Sequence, residues 1–304
     1  MTPTNRDVAE HTSIFLDLAG IGICLLFDRP LTEVSLDPAY ARFSGSRTPE
    51  VSINCSFSET PLTVPKNANL VFDSQGLWSL YDHDGDQVFA LEAPYLDDGP
   101  FRIARFDDSF SRGEITSRPV GKSGICGPLL PDPLEYPLGE AITVNLACRR
   151  RGMMIHACGL SLDGEGILLA GHSGAGKSTI ARLVGEEAIV LNDDRVIVRI
   201  EDGKPRMYGT PWHGDHPGVD PMGIDLAKIL FIEHAAAGRV EPRSGVSAAA
   251  MLIARSFPPA WSLDKMNRCL DTASEIIEAT PCFSLGFTPD ESVLDLIRRA
   301  TRRT

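Results

Sequence analysis

Apolar and polar positions change their rhythm part-way along the chain. Between about 12 and 130 the apolar runs are short and punctuated by turns. Ile21-Gly22-Ile23-Cys24-Leu25-Leu26-Phe27 is closed by Asp28-Arg29-Pro30. Leu70-Val71-Phe72, Leu77-Trp78-Ser79-Leu80-Tyr81 and Gln87-Val88-Phe89-Ala90-Leu91 predict further strands. The last two flank Asp82-His83-Asp84-Gly85-Asp86, and Asp-Gly between two apolar runs is a hairpin signal. The three aspartates also suggest a calcium loop, but the rest of the EF-hand spacing is missing, so a hairpin is expected.

Arg118 to Pro137 carries many Gly and Pro residues and reads as a connector. Leu138 to Arg150 has helical spacing, with Gly152 the expected C-terminal stop. From Met153 strand and helix signals alternate. Met153-Met154-Ile155, Gly166 to Ala170, Ala188 to Leu191, Arg195 to Ile200 and Lys228 to Glu233 predict strands, and Lys177 to Glu187 predicts a helix. Helices are expected over about 246–256, 262–279 and 290–302, with Phe283 to Phe287 a strand leading into the last. The expected architecture is therefore a β-rich lobe over 1–130 followed by an α/β domain over 131–304.

Charge narrows the partners. The chain of 304 residues carries a formal net charge of −12, with 43% hydrophobic and 23% charged residues. That is the composition of a globular protein with a real core. Arg149-Arg150-Arg151 and Arg298-Arg299 with Arg302-Arg303 read as helix ends rather than a nucleic-acid footprint. Seven cysteines, at 24, 55, 126, 148, 158, 269 and 282, include no CxxC pair, and an odd count fits a reducing compartment. No apolar run approaches the ~20 residues of a membrane span, and Met1 to Glu10 is too polar for a signal peptide. A cytoplasmic protein with neither nucleic-acid nor membrane partners is expected.

The candidate chemistry lies in the second part. Gly171-His172-Ser173-Gly174-Ala175-Gly176-Lys177-Ser178 matches G-x-x-x-x-G-K-[ST] in full (a Walker A motif), with an apolar strand before it and a predicted helix after it. The glycines let the backbone wrap phosphates, and successive N–H groups up to Thr179 face the anion at the helix start. ATP is the expected ligand. Lys177 is expected to reach the β- and γ-phosphates and Ser178 to hold Mg²⁺. Asp193 and Asp194 follow the next apolar strand, 16 positions after Lys177. One carboxylate there would hold the metal and the other accept a proton, or the pair is a polar turn.

His156-Ala157-Cys158-Gly159, then Gly171 fifteen positions after His156, then Asp193-Asp194-Arg195 together resemble the HPr serine kinase/phosphorylase family. That family shares its P-loop fold with ATP-dependent phosphoenolpyruvate carboxykinase. The resemblance covers about 150–200. It implies a P-loop nucleotide domain of that type, with His156 at a strand end beside the transferred phosphate, Lys177 on phosphate, and Ser178 and Asp194 on Mg²⁺. One of Asp193 and Asp194 would then activate a serine-type hydroxyl. The implied acceptor is free serine, a peptide or a carrier protein, and related enzymes form homo-oligomers. The other reading is an ATP-binding sensor module without transfer. Tyr208 to His216 reads as an acceptor- or nucleotide-facing loop, a plain surface loop, or a metal site using His213, Asp215 and His216.

Overall fold

The computed structural model describes residues 12–45, 48–93, 99–119 and 129–301. The polar N-terminus, Cys126, the connector's three glycines and Arg302-Arg303 lie outside them. The chain divides into two compact units. One takes Met1–Asp17, Ile21–Pro38 and Ser44–Ala141; the other takes Leu18–Gly20, Ala39–Phe43 and Ile142–Thr304.

The first unit is built on strands β1 (Ser13–Leu18), β2 (Ile21–Phe27), β3 (Val34–Ser35), β4 (Val51–Phe57), β5 (Asn69–Asp73), β6 (Trp78–His83), β7 (Asp86–Leu91), β8 (Arg102–Phe106), β9 (Arg112–Ser117) and β10 (Leu130–Pro131). Eight of them form one sheet in the order β1-β2-β4-β9-β8-β7-β6-β5, while β3 and β10 pair separately. The Asp84-Gly85 turn joins β6 to β7 as a two-residue hairpin, with φ of 57° and 88°. Two successive positive φ values match the right-handed twist of the flanking strands, which settles the hairpin against the calcium loop. An aromatic cluster fills the core. Phe106 stacks on Phe110 at 5.0 Å, and Phe89 meets Phe106 edge-on at 6.2 Å.

Helix α1 (Leu138–Arg149) begins in the residues of the first unit and ends in those of the second, which continues with β11 (Gly152–Leu162), β12 (Glu165–Ala170), α2 (Lys177–Leu183), β13 (Ala188–Asn192), β14 (Arg195–Glu201) and β15 (Lys204–Tyr208). It closes with β16 (Gly223–His234), β17 (Arg239–Arg243), α3 (Gly245–Ile253), α4 (Leu263–Ala279), β18 (Cys282–Phe287) and α5 (Ser292–Thr301). Two strands are long enough to serve two sheets. The first half of β11 pairs with β14, and its second half with β12 and β13. Likewise β16 pairs first with β15, then in parallel with β12 and β18.

The continuous apolar run of β12 follows from burial on both faces. Leu168 and Ala170 enter a core with α3 and α4, whereas Ile167 and Leu169 enter another with α2 and α5. Parallel pairing places the C-terminal ends of β12 and β16 side by side, and such ends are where open α/β sheets hold ligands.

Three expectations need correction. Helix α2 stops at Leu183; Gly185, at φ 50°, breaks it, and 185–187 form a separate 3₁₀ turn. Helix α1 is not stopped by Gly152, which begins β11. Arg151 takes the left-handed conformation instead, at φ 52°. The third is His156, which sits in the middle of β11 rather than at a strand end. It is the last residue paired with β14 before β11 crosses to β12. The six described cysteines are free, and no described helix is long and apolar enough to cross a membrane.

Candidate functional site

Residues from five segments of the second unit line one cleft of about 320 Å³. The loop after β12 and the start of α2 bring Ser173, Gly174, Gly176, Lys177, Ser178, Thr179 and Arg182. The turn after β13 brings Asp193 and Asp194, β11 brings His156, and the 208–216 loop brings Gly214 and Asp215. His234 completes the lining from the end of β16. Gly171 and Ala175 do not line the cleft. Gly171 is buried behind the loop, and Ala175 packs against the core beneath α2.

The 171–178 loop is shaped by its glycines and by Lys177. Gly176 has φ +100°, and a Cβ there would lie 2.5 Å from the Phe287 ring, so only glycine fits at the start of α2. Lys177 is buried and donates from Nζ to the carbonyls of Gly171 at 3.0 Å and His172 at 3.1 Å. Burial chiefly pushes its pKa down to about 8. Cys158 and Asp193 oppose that shift, and the Arg195 cation adds to it. Burial also raises the Cys158 thiol, which stays protonated.

The Asn192-Asp193-Asp194 turn divides its work. Asn192 is wholly buried and structural. Its Oδ1 accepts the amides of Asp194 and Arg195, both at 2.7 Å, and its Nδ2 donates to the carbonyls of Thr210 and Trp212. Asp193, 1% exposed, accepts the Gly214 amide on Oδ1 at 2.7 Å and the His216 amide on Oδ2 at 2.9 Å. The two residues thus tie the 208–216 loop to the end of β13.

Asp194 turns the other way. Its Oδ2 pairs with the Arg195 guanidinium and its Oδ1 lies 2.8 Å from His156 Nε2. Burial first, then the Lys177 and Arg195 cations, hold His156 down at about 4. With its pKa held low, the imidazole is neutral and its Nε2–H donates to the Asp194 carboxylate. The Phe257 ring backs both partners, 5.1 Å from the Arg195 guanidinium and 6.0 Å from the His156 ring.

His213 and His216 do not gather a metal. His213 Nδ1 lies against the Gly214 carbonyl and His216 Nδ1 accepts the Gly218 amide. Among the described residues no three His, Cys, Asp or Glu side chains converge on one point. A site for Mg²⁺ does not need three, because that ion keeps several waters and takes one or two carboxylates plus phosphate oxygens. Ser178 and the Asp pair, hard oxygen donors on one cleft, fit that requirement.

Three lining residues were not legible beforehand. His234 stands 57 positions from Lys177 and reaches the loop only through the parallel pairing of β12 with β16. A signal existed, because His234 ends the Lys228 to Glu233 apolar run. Gly214 belonged to a loop already singled out, but its amide bond to Asp193 was not. Arg182 reads locally as an ordinary exposed helix residue.

Comparison with known proteins adds a partial likeness. Residues 140–280 match the family described as SynChlorMet cassette protein ScmC. That stretch is 141 of 304 residues and spans the cleft. No curated protein matches the chain. The structure of the Hpr(Ser) kinase/phosphatase from Coxiella burnetii is similar at 10% identity and a TM-score of 0.30, covering 48% of this chain and 94% of that one. At that TM-score the similarity establishes neither fold nor function.

Proposed function

We propose that the cleft binds ATP with Mg²⁺ and transfers the γ-phosphoryl group to a serine-type hydroxyl of a small molecule, peptide or protein. The observation that carries this reading is the convergence of Lys177, Ser178, Asp193, Asp194 and His156 on one cleft from separate elements. The 171–178 loop and the first turn of α2 supply backbone N–H groups to phosphates. Lys177 exchanges its bonds to the loop carbonyls for bonds to phosphate oxygens. Ser178 and a carboxylate oxygen of the Asp pair would hold Mg²⁺, which neutralises charge on the phosphates when bound.

The two aspartates take different parts. Both Asp193 oxygens already accept amides, so Asp193 positions the 214–216 segment and has lone pairs left for a cation. Asp194 has more of its side chain exposed, at 18%, and is bonded to a neutral His156. It takes the proton of the acceptor hydroxyl. The acceptor O–P bond forms, the bond from the γ-phosphorus to ADP breaks, and ADP leaves. Catalysis here is positioning plus electrostatics.

The test is γ-labelled ATP with Mg²⁺, offered free serine, a serine-peptide mixture and an HPr-type carrier. A variant carrying both Asp193→Asn and Asp194→Asn runs alongside. Label reaching an acceptor with the wild type but not the variant is the expected result. Tight ATP binding with no transfer to any acceptor would favour a nucleotide-switched binding module instead.

A further inference from the structure

His234 carries an arrangement that the proposed chemistry does not use. Its Nε2 lies 2.8 Å from the Gly174 carbonyl. A carbonyl only accepts, so Nε2–H is the donor. The ring stacks on Phe287 at 5.9 Å and 28°, and Phe287 is the register partner of His234 across β16 and β18. The next amide along the loop is also committed, since Ala175 N–H donates to the His172 carbonyl at 3.1 Å. The peptide plane between Gly174 and Ala175 is therefore held at both ends, its C=O by His234 and its N–H by His172.

Two further constraints act at the start of the loop: Gly171 N–H donates to the His156 carbonyl at 3.4 Å, and Lys177 holds the carbonyls of Gly171 and His172. If the loop is a phosphate cradle, the two Lys177 bonds are given up when Lys177 turns to phosphate. The His234 bond is not, because His234 stands on the neighbouring strand and needs no movement. We infer that His234 is a positioning residue that keeps the 171–178 loop in its anion-binding shape after Lys177 has left it. This rests on the phosphate-cradle reading. Preorganisation of this kind shows in affinity, since the cost of ordering the loop no longer falls on binding.

The experiment separates the donor from the ring. His234→Gln keeps an amide N–H at nearly the position of Nε2 and removes the stacking ring; His234→Phe keeps a ring on Phe287 and removes the donor. The dissociation constants of ATP and adenosine are measured by calorimetry for both variants, the wild type and Lys177→Ala, together with each variant's melting temperature. One lost hydrogen bond predicts ATP binding about five- to ten-fold weaker in His234→Phe. His234→Gln should stay close to wild type, and adenosine affinity should not move. A role in packing alone predicts the reverse order, with His234→Gln the weaker binder, and would overturn the inference. So would ATP affinity unchanged in His234→Phe while Lys177→Ala weakens it, which leaves the phosphate cradle standing. ATP affinity indifferent to Lys177→Ala would overturn the cradle and the inference together.

Discussion

The two units bury polar groups for different ends. In the first, Arg102 lies wholly buried at the start of β8 and donates to Ser117 Oγ across the ladder and to the Asp132 carbonyl. Its bonds tie strand to connector. In the second, Lys177, Asn192, Asp193 and Thr210 are buried together, Lys177 at the start of α2 and the others at or just beyond strand ends. Their partners are mostly backbone groups of loops that face one cleft. Arg102 also begins a strand and also bonds loop backbone, so neither burial nor strand-end position separates the two uses. What separates them is clustering: Arg102 ties one strand to one connector, whereas several buried polar groups bonded to the backbone of neighbouring loops shape a site.

Substitutions in the two units test that difference. Asp194→Asn removes the proposed proton acceptor and should reduce kcat about 10²–10⁴-fold with little change in KM for ATP. Asp193→Asn should behave differently. An amide in place of one carboxylate oxygen faces an N–H donor, so loop order and acceptor KM suffer first. Steady-state kinetics of both variants decide this, and an identical loss in each would erase the division of labour.

Phe106→Ala empties the aromatic core of the first unit and should cost about 3–5 kcal/mol in denaturant unfolding. ATP affinity of the folded protein should stay within about two-fold, as for independent sites. Asn192→Ala leaves buried amides and carbonyls unpaired in the second unit, at about 1–3 kcal/mol. Unlike Phe106→Ala, it should also weaken transfer, because the 208–216 loop loses its anchor. The smallest effect belongs to Gly85→Ala. The added Cβ meets nothing, so only the left-handed backbone costs, at about 1–2 kcal/mol, read as a lower melting temperature.

What could be read beforehand follows the range of the interaction. The Asp84-Gly85 hairpin and the 171–178 loop are contiguous in sequence, so their signals are local. His156 was visible only as part of a spaced pattern, and its location in mid-strand was missed. A strand that serves two sheets looks, from apolar residues alone, like the short Met153 to Ile155 run. His234 and Gly214 depend on pairings between distant segments, which no local period encodes. Asn192 reads as part of a polar turn, and its bonds to the Asp194 and Arg195 amides are local, but its bonds to the Thr210 and Trp212 carbonyls depend on where those residues fold back.

The most direct test of the account is equilibrium binding of ATP, ADP and adenosine with Mg²⁺ to the wild type and to Lys177→Ala. The account predicts affinity falling from ATP to ADP to adenosine in the wild type, and a flattened series in Lys177→Ala as the phosphate contribution is lost. Equal affinity for all three in the wild type, or a series untouched by removing Lys177, would contradict it.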